Sequence, residues 1–126
     1  MSTLVFVYGT LRTGEVRAHV ISKCVNRGIF RTEPKYTLLD FGPFPGLIEG
    51  GDTSVVGEVL EVEDDLLQEL DWIEGHPNFY RRQAISLEGI DGAVAYIAVD
   101  SASLDKVAKI ASGDWVNRNV AVSSVN

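Results

Sequence analysis

The strand-like segments of this chain come in groups and do not alternate one by one with helices, which constrains the fold more than any other feature. Thr3 to Tyr8 is an unbroken apolar run, the pattern of a strand covered on both faces. RGIFRTEPKYTLLDFG reads as one or two strands, with Pro34 at a bend or an edge, and SVVGEVLEV resumes a strand whose Gly57 signals a bulge or the close approach of another backbone. YRRQAISL and AVAYIAV flank EGIDG as a hairpin. Between these groups, GPFPGLIEGGD carries two prolines and four glycines and is expected to be a shaped loop and tight turn. Grouped strands favour an antiparallel or mixed α+β domain over a doubly wound sheet, and closure into a small β-barrel with peripheral helices fits the strand count of about six.

DDLLQELDWIEG is the clearest helix. Leu66, Leu67, Leu70 and Ile73 share a face, acidic residues open its first turn and Gly75 follows its end. Residues 15–24 place Val16, Val20, Ile21 and Cys24 on one stripe and predict a second helix; residues 103–111 suggest a third. At 126 residues the chain is expected to form one domain over 1–126. Its net charge of −7 argues against a nucleic-acid backbone or an anionic membrane as the main partner, because both reward basic patches, and so points to a small molecule. With Cys24 as the single cysteine no internal disulfide is possible, which suits a reducing cytosol; the apolar run at 3–8 is too short for a signal core or a membrane span. The sequence leaves the oligomeric state open.

The inventory of reactive groups is short. Cys24 falls on an apolar stripe and reads as a packed thiol. His19 and His76 have no Cys or carboxylate at a zinc-type spacing, so no metal is expected, and no cofactor signature is present. Glu74 stands out. It ends a helix, where an anion is disfavoured, among Trp72, Ile73, Phe79 and Tyr80, which would desolvate it; both effects push a carboxyl group upward, the direction that suits a general base near neutral pH. The bland alternative is a solvated glutamate with Arg81 or Arg82 as an occasional partner. Tyr8-Gly9-Thr10-Leu11 is equally two-sided. It is either an ordinary strand-to-loop transition running into a flexible basic turn, or a concave nest of backbone N–H groups able to hold a carboxylate.

Taken in order, four motifs resemble the γ-glutamyl cyclotransferase superfamily, in particular its small branch of γ-glutamylamine cyclotransferases and AIG2-like proteins. LVFVYGTLRTG is similar to the family's N-terminal strand and YGTL or YGSL loop, FGPFPGLIEG to its Pro-Gly loop, VVGEVLEV to its central strand, and LDWIEGHPNFYRR to its L-D-x-x-E followed by Y-x-R. The likeness spans residues 4 to about 100, and SGDWVNR resembles bacterial members of the branch. The resemblance implies a mixed α+β domain with a small closed or nearly closed barrel. It implies that Tyr8, Gly9, Thr10 and Leu11 form the substrate-binding loop, that Glu74 is the catalytic acid/base, and that Tyr80 and Tyr96 line the cavity. The implied reaction needs no protein nucleophile: the α-amine of a γ-glutamyl amide or γ-glutamyl amino acid attacks its own γ-carbonyl and releases 5-oxoproline and a free amine. Two other readings use the same cavity, a non-catalytic carboxylate- or metabolite-binding module and an amidase that releases glutamate.

Overall fold

The computed structural model describes residues 2–12, 15, 23–99 and 107–117. Among these residues, seven strands and one helix follow one another as β1 (Ser2–Val7), β2 (Val25–Arg31), β3 (Tyr36–Asp40), β4 (Pro45–Glu49), β5 (Val56–Glu63), α1 (Asp64–Ile73), β6 (Tyr80–Ala84) and β7 (Val94–Ala98). The strands form one mixed sheet in the order β2-β5-β1-β7-β4-β3, with β6 paired to β7. The apolar run of β1 is central, as its lack of alternation predicts. Phe6 and Tyr8 join one core cluster with Leu38, Leu47, Val59 and Trp115, whereas Val5 and Val7 join a second with Leu60, Val62, Leu67 and Leu70. Successive side chains of a strand point to opposite faces, so β1 feeds both cores.

The expected barrel does not close among the described residues. β6 pairs with β7 along its whole length, from Tyr80 opposite Ala98 to Ala84 opposite Val94. The other edge of β7 is shared by two parallel neighbours: Val5 of β1 lies opposite Val94, and Leu47 of β4 lies opposite Ile97. The sheet therefore forks at β7, leaving β2 and β3 as the ends of the path.

Two further expectations change. GPFPGLIEGGD contains strand β4, in a hairpin with β3 that runs from Tyr36 opposite Glu49 to Asp40 opposite Pro45. Pro45 is tolerated because it is the first residue of the strand, and the Phe41 amide closes the hairpin tip on the Phe44 carbonyl at 3.0 Å. The suggested third helix is absent from 107–111: the Asp40 amide donates to the Ala108 carbonyl and the Ile110 amide to the Leu38 carbonyl, so this stretch lies extended along the free edge of β3. Residues 103–106 of that suggestion, and residues 16–22 of the one at 15–24, lie outside the described residues, as does His19. Gly57 answers to close approach, since a Cβ there would stand 2.4 Å from the Val7 carbonyl oxygen.

The helix and the second hairpin are as read. Leu67 and Leu70 of α1 are buried against the face of the sheet that carries Val5, Val7, Leu60 and Val62. Among the described residues no helix is long and apolar enough to cross a membrane.

Candidate active site

Beyond Val7 the chain leaves the sheet and turns. The Arg12 amide donates to the Gly9 carbonyl at 3.0 Å, which closes a four-residue turn with Thr10 and Leu11 at its centre. The amide N–H groups of Thr10 and Leu11 meet no acceptor among the described residues. The turn is tightly held. A Cβ on Gly9 would come within 2.6 Å of Pro45, so glycine is required there by the β3–β4 hairpin packed against it. Arg12, read from the sequence as part of a flexible basic turn, is 5% exposed. Its Nε donates to Glu58 of β5 and its Nη1 to Asp114, both at 3.0 Å, and the Asn26 side chain donates to the second oxygen of Glu58 at 2.9 Å. These partners are distant in sequence, and no local pattern around Arg12 announces them.

Glu74 is positioned by the way α1 ends. It is the last residue with helical backbone angles, and Gly75 follows at φ +69°. The Gly75 amide donates to the Trp72 carbonyl and the His76 amide to the Asp71 carbonyl, the paired bonds of a Schellman cap. Asp71, three residues before Glu74, clamps this end to the sheet. Arg82 of β6 donates to its two oxygens at 2.8 and 3.0 Å, and the Tyr96 hydroxyl of β7 donates to Oδ1 at 2.6 Å. The Arg82 amide in turn donates to Nδ1 of His76 at 3.0 Å. The L-D-x-x-E and Y-x-R motifs are thus two halves of one ion pair. Burial works against the Asp71 carboxylate, but the hydrogen bonds from Arg82 and Tyr96 overcome it and hold its pKa below the usual carboxylate range. Arg82 therefore serves Asp71, and the occasional Arg82–Glu74 pair considered from the sequence is not what its guanidinium makes.

Both structures open on one cavity of about 100 Å³, lined by the β1 end from Phe6 to Leu11, by Phe44 and Pro45 of the hairpin, and by Ile73, Glu74, Phe79, Tyr80 and Tyr96. All seven residues singled out from the sequence lie on its wall. Glu74 is half-buried there and is the one charged side chain among the described lining residues.

The tyrosines are committed to the scaffold. Tyr8 sits where the sheet forks: its hydroxyl accepts from the Leu47 amide of β4 at 3.2 Å and donates to the Tyr96 carbonyl of β7 at 2.5 Å. Burial, the neighbouring Tyr80 and the Glu74 charge push its phenol well above the usual range. Burial and the Asp71 contact do the same to Tyr96, with Glu74 adding to it. The Tyr80 hydroxyl donates to the Pro45 carbonyl at 2.7 Å. Tyr8 and Tyr96 stay protonated at neutral pH, so neither is a base.

Sequence reasoning missed Arg12, Glu58 and Asp114 behind the turn, Asp71 and Arg82 behind the helix end, and Phe44 and Pro45 on the cavity wall. The Asp71–Arg82 pair had a signal, in that each is a fixed position of a quoted motif, and Pro45 had one as part of the quoted Pro-Gly loop.

A family profile described as gamma-glutamyl cyclotransferase, AIG2-like matches residues 5–117. The chain belongs to that family. A Vibrio cholerae protein named as a candidate gamma-glutamylcyclotransferase is 42% identical, the match covering 94% of this chain and 99% of that one. The Escherichia coli gamma-glutamylcyclotransferase family protein YtfP is 32% identical, over 91% of this chain and 97% of its own length. Among solved structures, an AIG2-like protein from Mus musculus superposes with a TM-score of 0.74 at 26% identity, covering 86% of this chain and 85% of that one.

Proposed function

We propose that the chain catalyses intramolecular cyclisation of a γ-glutamyl amide, releasing 5-oxoproline and an amine. The observation that carries this reading is the convergence on one small cavity with aromatic walls of the Glu74 carboxyl and the Thr10 and Leu11 amides, which meet no acceptor among the described residues. The amides of Thr10 and Leu11 suit the substrate's α-carboxylate without any cation. Held there, the glutamyl chain folds so that its α-nitrogen faces its own γ-carbonyl, and this near-attack geometry supplies a large part of the acceleration. Glu74 takes a proton from the α-ammonium. The nitrogen then forms a bond to the γ-carbon; as the bond from that carbon to the leaving nitrogen breaks, Glu74 returns the first proton to the departing amine, and the second proton shed by the new ring nitrogen also ends on that amine, so that a lactam N–H and an ammonium result.

Glu74 is the natural proton carrier because Tyr8 and Tyr96 hold their protons and their hydroxyls are spent on the backbone and on Asp71. The same cavity needs no metal for this route, since the attacking group belongs to the substrate. The experiment is incubation with a panel of γ-glutamyl amides and detection of 5-oxoproline by mass spectrometry. Free glutamate in its place would assign the cavity to an amidase, and binding without turnover would assign it to a non-catalytic module.

A further inference from the structure

The end of α1 gathers negative charge. Glu74 follows Asp71 by three residues, so the two carboxylates stand one turn apart on the same face of the helix, where the last carbonyls also point outward. The last turn holds no basic residue of its own. The cation comes from the sheet instead, since Nε and Nη2 of Arg82 in β6 donate to the two Asp71 oxygens. Tyr96 of β7 joins this group to the cavity: its ring lies on the wall with Glu74, and its hydroxyl donates to Asp71 Oδ1.

Tyr96 registers all three charges. Besides burial and the bond to Asp71, the charges of Asp71 and Glu74 raise its phenol, and that of Arg82 lowers it. Asp71, Arg82 and Glu74 therefore act over one short range. Aromatic rings thin the water there: Phe79 stands edge-on to Tyr80 at 5.3 Å and to Phe44 at 6.3 Å, and all three line the cavity. Charges in such surroundings are screened less than on an open surface.

We propose that Asp71 and Arg82 form a charge couple that sets how readily Glu74 releases and takes back a proton, with Arg82 as a positioning residue acting through Asp71. Its bearing on turnover rests on the cyclotransferase reading. Asp71 by itself, one turn away, opposes ionisation of Glu74. Arg82 offsets that charge, and because its guanidinium is held by Asp71 it does so without occupying the oxygens that carry the proton. Among the described residues, the other titratable groups around Glu74 are Tyr8 of β1, Tyr80 of β6 and His76 of the cap, whose Nδ1 accepts from the Arg82 amide. These, and every further partner of Glu74, are shared by the proteins compared below and cancel in their differences.

The test is a carbon-13 NMR titration of the Glu74 carboxyl, assigned by its loss in Glu74→Gln, in the wild type, Asp71→Asn, Arg82→Met and Arg82→Lys at low salt. Asp71→Asn removes the negative half and should move the Glu74 midpoint down by about half a pH unit to one unit. Arg82→Met removes the positive half and should move it up by about as much. Arg82→Lys keeps the charge without the planar fork and should restore a midpoint close to that of the wild type. A clamp that only holds the helix end would give no opposed shifts. Midpoints that stay put, or that move the same way in Asp71→Asn and Arg82→Met, overturn the couple. Each variant has its own expected sign, so one that fails to fold leaves the other to decide. The acid limb of kcat/KM for 5-oxoproline release should follow the midpoints in the same order. An acid limb that ignores them overturns the role of Arg82 in turnover. Absence of 5-oxoproline from the whole panel of γ-glutamyl amides overturns the cyclotransferase reading, and the titration then judges the couple alone.

Discussion

The turn at Gly9–Arg12 and the helix end at Asp71–Gly75 face the same cavity but are fixed by different kinds of contact. Arg12 reaches partners 46 and 102 residues away, and Gly9 is shaped by Pro45 across the sheet. The helix end is set first by its own cap, through bonds from Gly75 and His76 to Trp72 and Asp71, and only then clamped by Arg82, 11 residues on, and Tyr96, 25 residues on. The helix end is thus specified mostly by nearby sequence, whereas the turn exists in its bound form only when β1, β4, β5 and the segment around Asp114 have come together. A change behind the turn should therefore weaken the whole fold. One at the cap should disturb the site locally.

The largest effect expected is on turnover. Glu74→Gln keeps the helix end and its size while removing proton transfer, so 5-oxoproline formation should fall about a hundredfold to ten-thousandfold in a protein that still folds. Wild-type turnover in this variant would remove Glu74 from the mechanism.

Next in size is Arg12→Met. It removes the cation shared by two carboxylates, one of them buried, and breaking one partner of a buried ion pair costs about 3–5 kcal/mol. Urea unfolding should show this as global destabilisation. A loss of substrate binding with unchanged stability would mean that the turn is held independently of the rest of the fold.

Asp71→Asn should give a smaller effect that depends on pH. The native state holds the Asp71 proton more weakly than the unfolded chain does, so its carboxylate contributes stability above the unfolded value of about 3.9, and that contribution disappears as pH falls through the lower native value. The gap in stability between wild type and Asp71→Asn should be constant near neutrality and shrink below about pH 4. A gap independent of pH down to acid unfolding would show that the charge of Asp71 does not hold the clamp.

The smallest change is Gly75→Ala. A side chain at φ +69° costs about 1–2 kcal/mol, and its Cβ would stand 3.0 Å from that of Phe79. Denaturation should register this modest loss, accompanied by a lower kcat as Glu74 and Phe79 shift. Unaltered stability and kcat together would contradict the cap's role in placing Glu74.

The sequence by itself determined what short-range periodicity and local chemistry encode. β1 reads as a two-faced central strand because Val5, Phe6 and Val7 are apolar without alternation, and α1 reads cleanly because its leucine stripe and following glycine lie within a dozen residues. Glu74 and the Tyr8–Leu11 segment were legible as candidates because one marks a helix end and the other an abrupt break after a strand. β4 was not legible, since Pro45 and Gly46 read as turn formers until a hairpin partner and β7 are in place. The fork of the sheet at β7, the burial of Arg12 and the aromatic wall beside Glu74 belonged to the tertiary structure alone. Each depends on groups that meet across the fold, and an ion pair, a shared strand edge or a ring stack leaves no periodic trace in either of the segments that form it.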